Sequence, residues 1–211
     1  MGKFIVLEGI EGVGKTTNMD FIAQYLQQHH IDFIRTREPG GTPLAEKMRD
    51  IVLHAGQEEP LNAEAELLLM FAARAQHLAQ VIHPALQQGL WVVCDRFTDA
   101  SYAYQGGGRN IDPKRIEILE HWVQDGLRPD GVIILDVPVE LAFARTLARK
   151  NQDRIEQESS DFFNRVRQVY LARAKINPER YHVVNAAQAL PAVQAEIKKI
   201  LDQLTENDHA G

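Results

Sequence analysis

Gly9-Ile10-Glu11-Gly12-Val13-Gly14-Lys15-Thr16-Thr17-Asn18 follows directly on a short apolar run, Phe4-Ile5-Val6-Leu7, and opens onto a helical pattern that begins at Lys15. The first eight residues fit G-x-x-x-x-G-K-[ST] in the order strand, loop, helix. Glycines let successive amides turn inward, forming a concave nest for phosphate oxygens at a helix N-terminus. In a loop of this kind the stretch Gly9 to Thr17 wraps a nucleoside triphosphate. Lys15 reaches the β- and γ-phosphates, and Thr16 offers its hydroxyl to Mg²⁺. The bland alternative, a glycine-rich turn that only caps a helix, is disfavoured by the strand before it and the helix after it.

Working outward, further apolar runs read as buried strands: Ile31–Ile34, Trp91–Cys94, Val132–Leu135 and, as a fifth candidate, Tyr181–Val184. Three of the five, Phe4–Leu7, Trp91–Cys94 and Val132–Leu135, are nearly continuous in apolar character, which suits a parallel sheet covered on both faces. Helical patterns lie between and around them, at Lys15–His29, Pro43–His54, Ala63–Gln88, Pro113–Val123, Pro138–Lys150, Asp161–Ala174 and Pro191–Leu204. Several begin at a proline, a favourable first-turn residue, while Pro84 is placed to kink or break the third. Strands alternating with helices indicate a three-layer α/β architecture with a five-stranded parallel sheet. No repeat or linker divides the chain, so residues 1–211 read as one domain, with a polar end at Thr205–Gly211 expected to fray.

The 211 residues carry 23 Lys and Arg against 29 Asp and Glu, a formal net charge of −6. Duplex nucleic acid calls for a basic surface and is not the expected partner, whereas a small anionic ligand needs only a few local cations. One cysteine, Cys94, excludes an intrachain disulfide and multi-cysteine zinc patterns. The eight histidines form no H-E-x-x-H or comparable cluster. No signal peptide or membrane span is visible, and a cytoplasmic location is expected.

Phosphate loops serve switch GTPases, motor and helicase ATPases, and small-molecule kinases. No N-K-x-D is present, and the D-x-x-G at Asp208–Gly211 is at the wrong end of the chain for a switch. Motors and helicases are usually longer and more basic, which leaves the kinases. Trp91-Val92-Val93-Cys94-Asp95 is a strand ending in an acid, and in an open parallel sheet ligands gather at the carboxyl ends of the strands. Asp95 thus reads either as a turn cap or as a holder of Mg²⁺, directly or through water. Arg96 beside it favours the second reading, being able to clamp a phosphate bidentately. No H-R-D catalytic loop supplies a base for a hydroxyl acceptor. A phosphate monoester, with a second pKa of about 6, needs none.

The segments "EGIEGVGKTT", "TREPGGTPLAEKMRD", "LLLMFAARAQH", "CDRFTDASYAYQGGGR" and "DRIEQES" occur in that order between Glu8 and Ser159. Together they closely resemble the bacterial thymidylate kinase family, which phosphorylates dTMP with ATP to give dTDP on the path to deoxythymidine triphosphate. The resemblance implies the P-loop kinase fold with a short lid at about 145–158, Mg²⁺ accompanying ATP, and a homodimer. It implies that Glu11 approaches the acceptor's 3′-hydroxyl, that Arg37 binds acceptor phosphate and that Pro39 packs near the base. Phe71 would stack on thymine while Arg74 reads its oxygen edge. Many members separate these two by four residues, and here Met70 occupies the fourth place back; alternatively Phe71 is ordinary core. Ser101 and Gln105 would approach base or sugar, with Tyr104 crowding out a 2′-hydroxyl. Arg49 reads equally as solvated, and Gly106–Arg109 as a flexible turn. The phosphate loop has no arginine of its own, so the sequence resembles the lid-arginine type: Arg149 first and Arg154 next would meet the transferring charge beside Lys15 and Arg96, with Arg145 on ATP. Rival readings are a deoxynucleoside kinase on the same fold, or a nucleotide-binding switch protein.

Overall fold

The computed structural model describes residues 2–56, 58–146 and 153–206. Its centre is a parallel sheet of five strands, β1 (Phe4–Glu8), β2 (Phe33–Arg37), β3 (Trp91–Asp95), β4 (Gly131–Asp136) and β5 (Tyr181–Asn185), in the order β2-β3-β1-β4-β5. Helices alternate with them: α1 (Lys15–Gln28), α2 (Pro43–His54), α3 (Ala63–His77), α4 (His83–Gln87), α5 (Thr98–Ser101), α6 (Pro113–Gln124), α7 (Val139–Thr146), α8 (Ser160–Ile176) and α9 (Leu190–Glu206). The three continuous apolar runs became the three inner strands, where nearly every side chain is buried. Register aligns Leu7 of β1 and Arg37 of β2 with Asp95 of β3, so three strand ends open on one crevice.

Two segments depart from the sequence expectation. The second strand runs Phe33–Arg37 rather than Ile31–Ile34. Ile31 belongs instead to the turn that ends α1: His30 is left-handed at φ 55° and the Ile31 amide bonds the Leu26 carbonyl at 3.0 Å. An edge strand keeps one side wet, so β2 tolerates Arg35, Thr36 and Arg37 where apolar continuity is absent. The helical pattern Ala63–Gln88 is interrupted by a π-helical stretch, Leu78–Ile82, just ahead of Pro84. Proline has no amide proton and crowds the carbonyl four residues back, and a wider turn absorbs both defects.

A second π-helical stretch, Tyr102–Gly108, continues α5 and packs against α8. Gly106–Gly108 is thus no flexible turn. A Cβ on Gly108 would lie 2.4 Å from the Phe162 ring, so the glycine is there to let α8 approach. The expected lid at 145–158 falls partly on residues 147–152, outside the described set. Among the described residues no helix is long and apolar enough to cross a membrane.

Candidate active site

A cleft of about 430 Å³ opens at the carboxyl ends of β1, β2 and β3. One wall is the phosphate loop. Gly12 (φ 79°) and Gly14 (φ 92°) adopt left-handed conformations that side-chain-bearing residues rarely hold, and Ile10 and Val13 anchor the loop in the core. Glu11, Gly12, Gly14, Lys15, Thr16 and Thr17 face the cleft. The Lys15 ammonium donates to the carbonyls of Gly9 and Ile10, each at 3.1 Å. Burial, with Arg96 adding, pushes its pKa down to about 8, against the pull of Asp95, Glu11 and Glu8.

The next wall comes from the end of β3. Asp95 lines the cleft, and its Oδ1 is buried with no hydrogen-bond partner. A carboxylate oxygen left open in the cleft that Thr16 also lines, with its hydroxyl, is a hard donor set of the kind that suits Mg²⁺. Among the described residues no cluster of three His, Cys, Asp or Glu forms a protein-only cage. Arg96 is left-handed at φ 70°, a strained backbone for a non-glycine residue. Its amide bonds the Leu7 carbonyl at 3.0 Å, and its guanidinium bonds Glu11 Oε1 at 2.7 Å and lies 4.7 Å over the Tyr104 ring. The Tyr104 hydroxyl donates to the other Glu11 oxygen at 2.6 Å. Burial alone would push Glu11 up, but Arg96, Lys15 and the Tyr104 hydroxyl hold it below the usual carboxylate range. Beneath this triad lies Glu8, fully buried, accepting from the Phe97 amide and the Tyr170 hydroxyl, both at 2.8 Å. Burial, with Asp99 adding, pushes Glu8 up to about 8.

Opposite the loop, Arg37, Pro39 and Arg49 line the cleft. Arg37 bonds Glu46 at 2.9 Å and Arg49 bonds the Pro39 carbonyl at 3.0 Å. Arg49 is depressed first by burial, then by the charges of Arg37 and Arg96. Two guanidiniums close enough to repel a third make a local demand for an anion.

From α3 the side chain that lines the cleft is Met70. Phe71, expected over the base, packs in a separate cluster with Leu67, Ile111 and Ile116. It also carries the Arg74 guanidinium at 4.6 Å from its ring centre. Helical geometry explains the difference: adjacent residues diverge by about 100° around the axis, so Met70 and Phe71 cannot both face the crevice. Arg74 is buried and donates to Glu38 (2.7 Å), the Phe97 carbonyl (3.0 Å) and Ser101 Oγ (3.1 Å), while its Nη1 has no partner. Ser101 therefore meets Arg74 and does not line the cleft, whereas Tyr104 and Gln105 do. Gln105 donates to Glu66 at 2.8 Å and leaves its Oε1 buried and unpartnered.

Of the expected lid cations, Arg145 lines the cleft and donates twice to the Ala186 carbonyl at 3.2 Å. Arg149 lies outside the described residues. Arg154 bonds the Val52 carbonyl at 3.0 Å and the buried carboxylate of Glu66. Its neighbours Asp153, Ile155 and Glu156 line the cleft instead.

Sequence reasoning did not single out Glu8, Glu38, Glu66 or His77. Glu38 joins Arg74 to His77 Nδ1 (3.0 Å), whose Nε2 meets Thr36 Oγ1 at 2.7 Å. The available signal was a polar residue on an otherwise apolar element: Glu8 ending β1, and Glu66 and His77 on the inner face of α3.

The thymidylate kinase family model matches residues 7–197. The thymidylate kinase of Pseudomonas putida strain GB-1 is 56% identical over 205 residues, 97% of each chain. That of Pseudomonas syringae pv. tomato is 55% identical, again over 97% of each chain. Among solved structures, thymidylate kinase from Ehrlichia chaffeensis superposes with a TM-score of 0.76 at 35% identity, covering 95% of this chain and 98% of that one.

Proposed function

The chain belongs to the thymidylate kinase family, whose reaction moves a phosphoryl group from ATP to dTMP and yields dTDP and ADP, and we propose how its cleft divides that work. ATP takes the Gly9–Thr17 loop and Arg145. The phosphate of dTMP takes Arg37, Arg49 and Arg96, with its base toward Pro39, Met70, Arg74 and Gln105. The observation that carries this division is the convergence of three arginines on one cleft, Arg37 and Arg49 opposite the phosphate loop and Arg96 at the end of β3. A second anion site in line with the first suits a phosphate acceptor, and rate then comes from alignment and fixed charge rather than from proton abstraction.

Lys15 and Arg96 stabilise the charge on the phosphoryl group in flight, and Arg149 is the lid cation that completes the set. Arg154, clasped by Glu66, anchors the lid's root. Glu11, aimed by Arg96 and Tyr104, receives the sugar 3′-hydroxyl, and the Tyr104 ring crowds the 2′ position. Asp95 and Thr16 would hold Mg²⁺, which when bound would neutralise charge on the phosphates of ATP. Purified protein given ATP, Mg²⁺ and one acceptor at a time should release ADP with dTMP and not with thymidine. ADP release with thymidine in place of dTMP would identify a nucleoside kinase, and slow hydrolysis indifferent to any acceptor a switch protein.

The chain acts as one domain, in the cytoplasm, as a homodimer. Leu44 and Ile51 on α2, Leu68 on α3, and Ile118 and Trp122 on α6 are all exposed, Trp122 by 79%, and these helices pack side by side. Such a face supports pairing with a second copy.

A further inference from the structure

We propose that Glu66, an acid on α3 that touches no substrate, fixes which end of the Gln105 amide meets the acceptor base, and so selects bases with an imide edge. This rests on the placement of dTMP given above. Glu66 is 1% exposed, and its Oε1 accepts from Gln105 Nε2 at 2.8 Å. Arg154 bonds its Oε2, and Arg109 Nε lies 3.3 Å from that atom and 3.4 Å from Oε1. A carboxylate paired with two guanidiniums has acceptor sites and no proton to give, whereas an amide has both. Gln105 is therefore held one way round: its NH₂ points at Glu66, and its carbonyl oxygen is left over. That oxygen is buried, has no partner and belongs to a residue lining the cleft.

Its counterpart is Arg74 Nη1, a buried donor without a partner, set behind the cleft surface that Met70 lines from the same helix. The guanidinium is fixed by Glu38, the Phe97 carbonyl and Ser101, and Ser101 lies four residues before Gln105 on the same helical segment. One open acceptor and one open donor match a base with a ring N–H beside a carbonyl, as in thymine or uracil. Cytosine carries an unprotonated ring nitrogen beside an amino group, so it fails at both positions and leaves two buried polar atoms unpaired, a costly outcome. Glu66 is thus a positioning residue acting through Gln105, much as Glu38 holds Arg74.

Glu66→Gln removes the one-way constraint, since a glutamine at 66 donates as readily as it accepts. The ratio of kcat/KM for dTMP over dCMP should fall about tenfold, roughly one hydrogen bond's discrimination. The dTMP change should appear more in KM than in kcat. In a Gln105→Ala background the same substitution should leave the ratio where Gln105→Ala alone put it. A proportional loss with both acceptors, equal in the two backgrounds, would show a merely structural role and overturn the proposal. A measurement on the unaltered protein stands even if Glu66→Gln does not fold. The Gln105 side-chain carbonyl stretch, assigned by isotope labelling and by its loss in Gln105→Ala, should shift to lower frequency when dTMP binds, as a carbonyl does on accepting a hydrogen bond. No shift on dTMP binding would overturn the proposal. Failure of the unaltered protein to phosphorylate dTMP would instead sink the reading it rests on.

Discussion

Replacing Lys15 by arginine removes from the phosphate loop a group that changes charge close to neutral pH. In the free protein the ammonium is half-buried with two carbonyls as its hydrogen-bond partners and Arg96 nearby, and desolvation above all lowers its pKa from 10.5 to about 8. The sign follows from that depression: folding stability drawn from Lys15 is present above 10.5 and is lost as the pH falls through about 8. A bound triphosphate supplies the negative charge the site lacks and restores the ammonium, so ATP binding must draw a proton wherever Lys15 is neutral. The neutral fraction is about 0.1 at pH 7, 0.5 at pH 8 and 0.9 at pH 9. Titration calorimetry with ATP in two buffers of different ionisation enthalpy reads this uptake directly. The wild type should take up about half a proton at pH 8, and its ATP affinity should weaken roughly tenfold between pH 7 and pH 9. Lys15→Arg, charged throughout, should lose both effects. Equal uptake in the two proteins, or none in the wild type at pH 8, would refute the reasoning.

Met70→Ala should raise the KM for dTMP with a modest loss of melting temperature, whereas Phe71→Ala should show mainly as lost stability, about 3–5 kcal/mol by urea denaturation. Gly108→Ala should cost about 1–3 kcal/mol in the same experiment, because its methyl group would sit inside the Phe162 ring contact. Glu8, raised to about 8 from 4.5, contributes stability that is full below pH 4.5 and is lost as the pH rises through about 8. Melting curves across that window should slope downward by at most about 1.4 kcal/mol per pH unit in the wild type, and the slope should flatten in Glu8→Gln.

The inner strands were legible because a residue buried on both faces leaves a continuous apolar run, as in Phe4–Leu7 and Val132–Leu135. The edge strand β2 was misplaced by two residues for the converse reason, since half-exposed Arg35 and Arg37 carry no such mark. The phosphate loop is short, local and chemically constrained, so Lys15 and Thr16 stood out from spacing alone, while Glu11 was singled out only by the resemblance to the family. Arg154 could not be placed the same way. Its bond to Glu66 spans 88 residues, and a charge that looks free along the chain is neutralised by an acid from a distant helix. Phe71 and Met70 differ by a single helical position, and only the packing of α3 against α6 decides which of them turns inward. The buried acids Glu8, Glu38 and Glu66 escaped notice because each matters through a partner remote in sequence.

The central claim is that Arg37, Arg49 and Arg96 form a site for the acceptor's phosphate, and equilibrium binding of dTMP against thymidine without ATP tests it most directly. Two charge-assisted hydrogen bonds lost at about 1.5 kcal/mol each predict thymidine binding ~100-fold more weakly than dTMP at low salt. Arg49→Ala should narrow that gap. Equal affinity for dTMP and thymidine would contradict the account.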